Sequence, residues 1–377
     1  MGQLITVGIT GQSGFMGTHL YNFLGTKSEK IDRLNFQDNY FYNEVDLQNF
    51  VKSCDVIVHL AAMNRHEDEQ VIYNTNIDLV KKIINACEAT NSTPKIIFSS
   101  STQEEKDNLY GKSKRDGRKY FEAWAIKNSC KVLSLIIPNV FGPFGKPFYN
   151  SFIATFSSQI IAGEQPTVVN DSVVNLIYIN ELSQVFYDKI LEEGNEDTNS
   201  YLVPHTSSRK VSEILDLLKK FKIQYLENDQ VPKVDLNSFE LDLFNTFTSF
   251  IPKDYFPIKF KNHTDERGAF VEIMRAGSPG QTSYSTTFPG ITRGNHYHTR
   301  KIERFAVISG KALIQIRKID SDEVFEYILD GTEPAYVDMP IWYTHNIKNI
   351  GNTELITIFW INEPYNPEDA DTYFIKV

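Results

Sequence analysis

The chain has 377 residues, which at roughly 150 residues per domain allows two or three domains, each burying its own core. Hydrophobic residues make up 41% and charged residues 23%, a composition that excludes a disordered chain, a collagen and a coiled coil. Lys+Arg 38 against Asp+Glu 48 leaves a net charge of -10, which argues against a nucleic-acid binder working through phosphate contacts.

The first part alternates strand and helix signals. Leu4–Thr10 is a short β-rich run, and Phe15–Leu24 follows with helical spacing. Between them lies TGQSGFMG, with Gly11, Gly14 and Gly17 in a G-x-x-G-x-x-G spacing. Glycines between a strand and a helix allow a tight turn and close approach of backbone to a pyrophosphate, and the helix N-terminus favours the anion. Lys30–Leu34 reads as the second strand. No carboxylate closes it to hold a ribose 2′-OH, Asp38 lies a little further on, and Arg33 or Lys30 could hold a 2′-phosphate, so NADP is favoured over NAD. Asp55–Ala62, Lys95–Ser100 and Val132–Ile137 are further strands, with helices at Val71–Ala89 and Tyr110–Lys127. Such alternation predicts a parallel sheet covered by helices on both faces. Tyr110 and Lys114 stand one helical turn apart, where an ammonium beside a phenol favours phenolate, and the strand before them supplies the Ser101 hydroxyl.

Lys210–Phe250 is helical and mixed, and reads as the end of the first domain plus a connector. From about Tyr255 the texture changes to short alternating runs: Ala269–Ile273, Phe305–Ile308, Ala312–Ile316, Glu323–Leu329 and Leu355–Trp360. This predicts an all-β barrel or sandwich. The expected domains are 1–247 and 253–377. In the second, His296, His298, Glu303 and His345 form a ligand pattern for a divalent metal such as zinc, because histidines two apart on a strand share a face.

TGxxGFxG, HLAA at 59–62, SSS at 99–101 and YGKSK at 110–114 resemble an extended short-chain dehydrogenase/reductase over roughly 1–245. The resemblance implies that Tyr110 is the acid/base, that Lys114 holds the cofactor ribose and tunes Tyr110, and that Ser101 orients a carbonyl. The short Ser101–Tyr110 spacing leaves Thr102 as an alternative hydroxyl. It also implies a cofactor site at Gly11, Ser13, Gly14, Phe15, Met16, Gly17, Leu60, Ala61 and Ala62, an adenine contact at Asp46, and a structural asparagine at Asn76 beside that site. Substrate contacts are expected at Asn64, Arg65 and Asn139. Related dehydratases place an Asp-Glu pair where Thr102 and Gln103 stand, so dehydration is not expected.

The histidine pattern resembles the cupin barrel over about 255–377, with Trp342 where a glycine is usual. Asp265–Phe270 (DERGAF) and Gly290–Tyr297 (GITRGNHY) resemble 3,5-epimerases of deoxysugar biosynthesis, which implies substrate contacts at Arg293 and Tyr343. The histidine base of those enzymes aligns with His296, which the cupin pattern gives to the metal. Lys311, Tyr297 and Tyr343 are the alternative bases, Lys311 ranked first. Over its full length, through HLAAMNR, KPFYNSFIATF, YTHNI and PEDADTYFIKV, the chain is similar to bifunctional capsule and O-antigen enzymes of UDP-N-acetyl-L-fucosamine synthesis. That similarity implies C3 epimerisation of a UDP-2-acetamido-2,6-dideoxy-hexos-4-ulose in the second domain, then NADPH reduction at C4 in the first to the L-talose-configured sugar. The competing readings are a single-activity UDP-sugar reductase or 4-epimerase with a binding or structural cupin, and a non-enzymatic sensor. Parent families that commonly dimerise imply a homodimer.

No run of about 18 apolar residues is present, so no membrane span is expected. Residues 1–20 lack a secretory pattern, and Cys54, Cys87 and Cys130 are odd in number and far apart, as expected of reduced thiols in a cytoplasmic protein.

Overall fold

The computed structural model describes residues 4–193, 198–260, 262–265, 268–271, 275–276, 280–363 and 366–377. In chain order the first elements are β1 (Ile5–Thr10), α1 (Phe15–Gly25), β2 (Ile31–Leu34), α2 (Glu44–Ser53), β3 (Val56–His59), α3 (Glu69–Thr90), β4 (Lys95–Ser101), α4 (Leu109–Asn128), β5 (Val132–Ile137), β6 (Asn139–Phe141), α5 (Phe152–Ile161), β7 (Val173–Tyr178), α6 (Ile179–Leu191), β8 (Thr198–Leu202) and β9 (Ser207–Lys210). Six of these strands make one parallel sheet in the order β2-β1-β3-β4-β5-β8. The expected α/β sheet is therefore present. The run expected to be strand through Ala62 stops at His59, where the Leu60 amide donates to the Thr10 carbonyl at 3.2 Å and the chain leaves the sheet at its C-terminal edge. That edge is where ligands bind in open α/β sheets. The core under it includes Val51, Ile57, Ile83, Ile96, Phe98 and Phe121, all at most 3% exposed.

The remaining elements are α7 (Val211–Phe221), β10 (Gln230–Val231), α8 (Phe239–Thr248), β11 (Ile258–Lys259), β12 (Asn262–Asp265), β13 (Gly268–Val271), β14 (Arg275–Ala276), β15 (Gln281–Thr287), β16 (Thr292–Tyr297), β17 (Glu303–Ser309), β18 (Lys311–Lys318), β19 (Val324–Asp330), β20 (Ala335–Met339), β21 (Tyr343–Asn349), β22 (Leu355–Ile361) and β23 (Tyr373–Phe374). Two antiparallel sheets, β11-β20-β17-β22-β15 and β19-β18-β21-β16-β23, form a cupin-like sandwich. Their inner faces meet where Phe305 of β17 packs edge-on against His345 of β21, ring centroids 5.7 Å apart. Glu266, Arg267 and Ile273 lie outside the described residues, as do the side chains of the rest of the DERGAF motif.

The chain forms two compact units: Met1–Phe141 with Gly145–Phe152 and Asp171–Val211, and Gly142–Phe144 with Ile153–Asn170 and Ser212–Val377. The texture changes near residue 250, yet the second unit reaches back to Ser212. Arg304 of β17 explains part of this. Its guanidinium is 2% exposed, pairs with Asp338 at 2.8 Å and Asp229 at 3.1 Å, and lies over the Tyr225 and Tyr336 rings. A charge on the outer face of a strand is tolerated there because the 212–250 segment brings it partners.

Trp342 holds φ +62, the left-handed backbone that suits glycine. The cost for a residue with a Cβ is about 1–2 kcal/mol. Burial to 1% exposure and stacking on Tyr297 at 5.7 Å offset it, and the Trp342 amide donates to the His298 carbonyl at 2.8 Å. The turn geometry is kept although the glycine is not.

Candidate active site and metal centre

The glycine loop meets the end of β3. Gly11 holds φ +68, and a Cβ there would stand 2.8 Å from the backbone of Ala61. At Gly17 a Cβ would come within 2.1 Å of the Gly11 carbonyl oxygen. The Ala61 amide donates to the Thr10 hydroxyl at 3.4 Å, so Leu60, Ala61 and Ala62 flank the loop. Helix α1 begins after Gly14 with no side-chain cap and no acidic residue in its first turn. Exposed Ser13 and Gly14 and half-buried Phe15 and Met16 therefore present a helix N-terminus suited to a phosphate, and the loop fits a dinucleotide.

The residues expected around the adenosine divide. Arg33 is turned toward α1, where it donates to the Tyr21 carbonyl at 2.7 Å and stacks on the Tyr21 ring at 4.3 Å, its guanidinium filling the space a side chain at Gly25 would need. This corrects its expected part in holding a 2′-phosphate: the guanidinium is bound to the body of the helix, away from the glycine loop at its start. Asp38 instead reaches the loop, accepting from the Ser13 hydroxyl at 2.6 Å. Asp46 is half-buried in the first turn of α2, behind the Asn43 cap.

At the end of β4 and the start of α4 stand Ser101, Tyr110 and Lys114. Ser101 ends β4 and accepts from the Gln103 amide at 3.2 Å, which leaves its O–H to donate. Thr102, the alternative hydroxyl, is exposed. Asn108 caps α4 through the Gly111 amide at 2.7 Å, and a Cβ at Gly111 would meet the Gln103 carbonyl oxygen at 2.0 Å. Glycine at 111 is what lets the short Ser101–Tyr110 loop close onto the helix. Asn76 is 4% exposed and bonds both backbone groups of Met63 and the Ser113 hydroxyl, which in turn donates to the Tyr110 carbonyl. Asn76 therefore positions this site through its neighbours.

Lys114 is 4% exposed and donates to the Ser99 carbonyl at 3.0 Å, with its ammonium 5.8 Å from the Tyr110 ring centre. Burial pushes the amine down to about 8, against Glu104. Tyr110 is pushed up to about 12, first by burial and then by Tyr149. Burial thus acts on the phenol in the direction opposite to that expected from a neighbouring ammonium. Lys114 donates to a carbonyl, and burial favours the protonated tyrosine.

In the second unit, His296 and His298 on β16 and the turn after it, Glu303 on β17 and His345 on β21 converge, with ligand atoms all within 4.8 Å of one another. Glu303 Oε2 lies 2.9 Å from His345 Nε2 and 3.3 Å from His298 Nε2. These three buried atoms make no geometrically sound hydrogen bond, as expected of atoms aimed at a common cation. The outer nitrogens are held: His298 Nδ1 lies 2.6 Å from the Asp371 carbonyl oxygen and His345 Nδ1 3.3 Å from that of Tyr343. Burial, then His345 and His298, push His296 down to about 4, so its lone pair is available. For Glu303 burial opposes ionisation, but the close approach of His298 and His345 prevails and holds it below the usual carboxylate range. One carboxylate and three imidazoles fit a divalent metal.

Lys311 does not reach this cluster, which corrects its ranking as the base. It is exposed at the start of β18, and its neighbour Ala312 faces inward. Ile316, opposite His345, lies five residues further along, about 17 Å at the strand rise. Tyr297 faces away from the histidines and stacks on Trp342 and Tyr373. Tyr343 shares the inward face with His345, and Lys253 Nζ, buried without a hydrogen bond, lies 4.3 Å from its ring centre. Arg293 is exposed and donates to the Thr286 carbonyl at 3.0 Å. In the first unit, exposed Asn139 donates to the Asn175 carbonyl at 3.3 Å, and half-buried Asn64 follows the Met63 anchor. Arg65 and the unforeseen Lys146, Phe148 and Tyr149 line a cavity of about 750 Å³ with His66, Glu67 and Pro147. Lys146 and Tyr149 fall in KPFYNSFIATF and Asp371 in PEDADTYFIKV, but no site role could be read for them or for Lys253, since their placement depends on distant loops.

The NAD dependent epimerase/dehydratase family model matches residues 7–201, and the polysaccharide biosynthesis C-terminal domain model matches residues 263–373. The UDP-2-acetamido-2,6-beta-L-arabino-hexul-4-ose reductase of Pseudomonas aeruginosa is 31% identical over 371 residues, 98% of each chain. The crystal structure of the capsular polysaccharide assembling protein CapF from Staphylococcus aureus is 34% identical, covers 99% of this chain and 100% of that one, and superposes with a TM-score of 0.60. The spore coat polysaccharide biosynthesis protein SpsL of Bacillus subtilis is 27% identical over 123 residues, 30% of this chain and 82% of SpsL.

Proposed function

Because this chain belongs to the NAD dependent epimerase/dehydratase family, and resembles CapF over its full length, we propose that it is a bifunctional UDP-sugar enzyme of polysaccharide synthesis. Its cupin-like half inverts C3 of a UDP-2-acetamido-2,6-dideoxy-hexos-4-ulose. Its Rossmann half then reduces the C4 ketone to the L-talose-configured sugar. The observation that carries this reading is the presence of two separately built sites in one chain, Ser101–Tyr110–Lys114 and His296–His298–Glu303–His345. The order follows from chemistry, since the ketone that acidifies the C3 proton must survive until epimerisation is over.

Gly11–Gly17 would hold a reduced nicotinamide dinucleotide, which would supply the hydride. The NADPH reading loses Arg33, so choice between NADPH and NADH falls to the loop carrying Asp38. Tyr110, protonated by virtue of its burial, donates to the C4 oxygen as charge develops there, and the Ser101 hydroxyl orients that oxygen. Lys114 anchors the β4 end through Ser99, with its ammonium 5.8 Å from the Tyr110 ring centre.

A divalent metal, zinc in this reading, would be held by His296, His298, Glu303 and His345 and would polarise the ketone as a Lewis acid. Lys253 replaces Lys311 as the candidate base: burial, then Lys318, push its amine down to about 8, a range in which it accepts a proton near neutral pH. Burial, then Asp320, push the Tyr343 phenol up, which suits holding a proton over taking one. The protein is read as a cytoplasmic homodimer, with no nucleic-acid or membrane partner. No helix among the described residues is long and apolar enough to cross a membrane.

Variants separate the two activities. His298→Ala should abolish solvent exchange at C3 while leaving reduction of an already epimerised ketone intact, and Tyr110→Phe should do the reverse. Loss of both activities in either variant would contradict two separate sites. Full product formation by His298→Ala would favour the single-activity reductase.

A further inference from the structure

Segment Gly145–Asn150 is held in an unusual conformation beside the reductase site. Phe148 adopts φ +59 and leaves 59% of its surface exposed, a rare state for a bulky residue and one that surrounding contacts must enforce. Arg65 supplies those contacts. Its Nη1 donates to the Phe148 carbonyl at 2.7 Å and to the Tyr149 carbonyl at 3.3 Å. Arg65 follows Met63, which Asn76 ties to Ser113 and so to the start of Tyr110's helix. The segment is therefore referenced to the reacting end of the site. Tyr149 in turn lies close enough to Tyr110 to affect its proton affinity.

The cavity beneath this segment is about 750 Å³, and its lining carries Arg65 and Lys146 against one carboxylate, Glu67. That size lies in the range of small-molecule sites. Lys146 is exposed, stands 5.3 Å from the Tyr149 ring centre and makes no ion pair among the described residues. A cation on a strained, anchored loop beside a proton donor suits a dianionic group attached to the reacting sugar. Resting on the sugar-nucleotide reading above, we propose that Gly145–Asn150 is a clamp for the substrate diphosphate, with Lys146 as the anion contact and Arg65 as the positioning residue.

The test uses the full chain loaded with NADPH, with UDP as the calorimetric probe and the 4-keto sugar nucleotide as substrate. Lys146→Gln should weaken one UDP binding event and raise KM by about tenfold, the loss of one charge-assisted contact. It should leave kcat within about twofold and flatten the dependence of KM on salt. Arg65→Gln should lower kcat as well, because Tyr149 is released with the clamp, and adding Lys146→Gln to it should cost little more. Thermal melting of each variant checks that the fold survives. Unchanged UDP binding and KM in a folded Lys146→Gln protein would overturn the clamp, as would wild-type protein that binds no UDP. If wild-type protein oxidises no NADPH, yet UDP binding weakens in Lys146→Gln, the clamp stands and the reductase reading falls.

Discussion

Half-buried Tyr110 is pushed toward its protonated form by desolvation and then by the Tyr149 phenol, while Lys114 donates to the Ser99 carbonyl. Replacing Tyr110 with Phe should slow C4 reduction by about 10²–10⁴-fold, which single-turnover NADPH oxidation would measure. Lys114 sets a pH limit. Its amine, ordinarily at 10.5, is pushed down to about 8 by burial, so its charge is lost as pH rises through about 8. A pH profile of kcat/KM should fall there, and a profile flat to pH 9.5 would show that this charge plays no part. Stability moves the other way. Between about 8 and 10.5 the unfolded chain binds more protons at this lysine, so its contribution to stability rises with pH across that window. Asp38, bonded to Ser13, places a carboxylate beside the loop, and a carboxylate there would repel a 2′-phosphate. Asp38→Asn should lower KM for NADPH several-fold relative to NADH. The reverse result would move the ribose site elsewhere.

The elements of the first unit were legible in the sequence because period and punctuation agree: Asp68 and Asn108 cap α3 and α4, and glycines follow β1. The glycine at 111 was less obvious, since its reason is a carbonyl eight residues back. Gly111→Ala should destabilise by about 1–3 kcal/mol, read as a lowered melting temperature, because the Cβ contact is with backbone and cannot be relieved by a rotamer. The C-terminal tail is the second case. Asp371 accepts from the Thr299 amide and hydroxyl and the Arg300 amide, and its carbonyl holds His298. Asp371→Ala keeps the carbonyl that holds His298 but removes the carboxylate that fixes it to Thr299 and Arg300, so the variant should lose metal to a chelator sooner than wild-type. The cluster of three histidines and a glutamate could be read from spacing alone; this support could not, because it lies some seventy residues away in the chain.

At the scale of the molecule, the change of texture near residue 250 marks where the run of β-strands begins, but it did not reveal that Ser212–Phe250 packs with the barrel. The signal for that packing is a buried Arg304 awaiting Asp229, a pairing invisible until the fold brings them together. Lys311 shows the same limit: its place next to Gly310 suggested a site, and strand register puts it outward and far from His345. The fold and both candidate centres were thus readable from local pattern, while the groups that support them depended on long-range contacts.

The central claim is that one chain carries both activities. The most direct measurement is analysis by mass spectrometry and NMR of the product formed in D2O from NADPH and UDP-2-acetamido-2,6-dideoxy-hexos-4-ulose. The account predicts solvent deuterium at C3 together with a reduced C4. A reduced C4 with protium retained at C3 would contradict it, leaving the cupin-like half without a catalytic role.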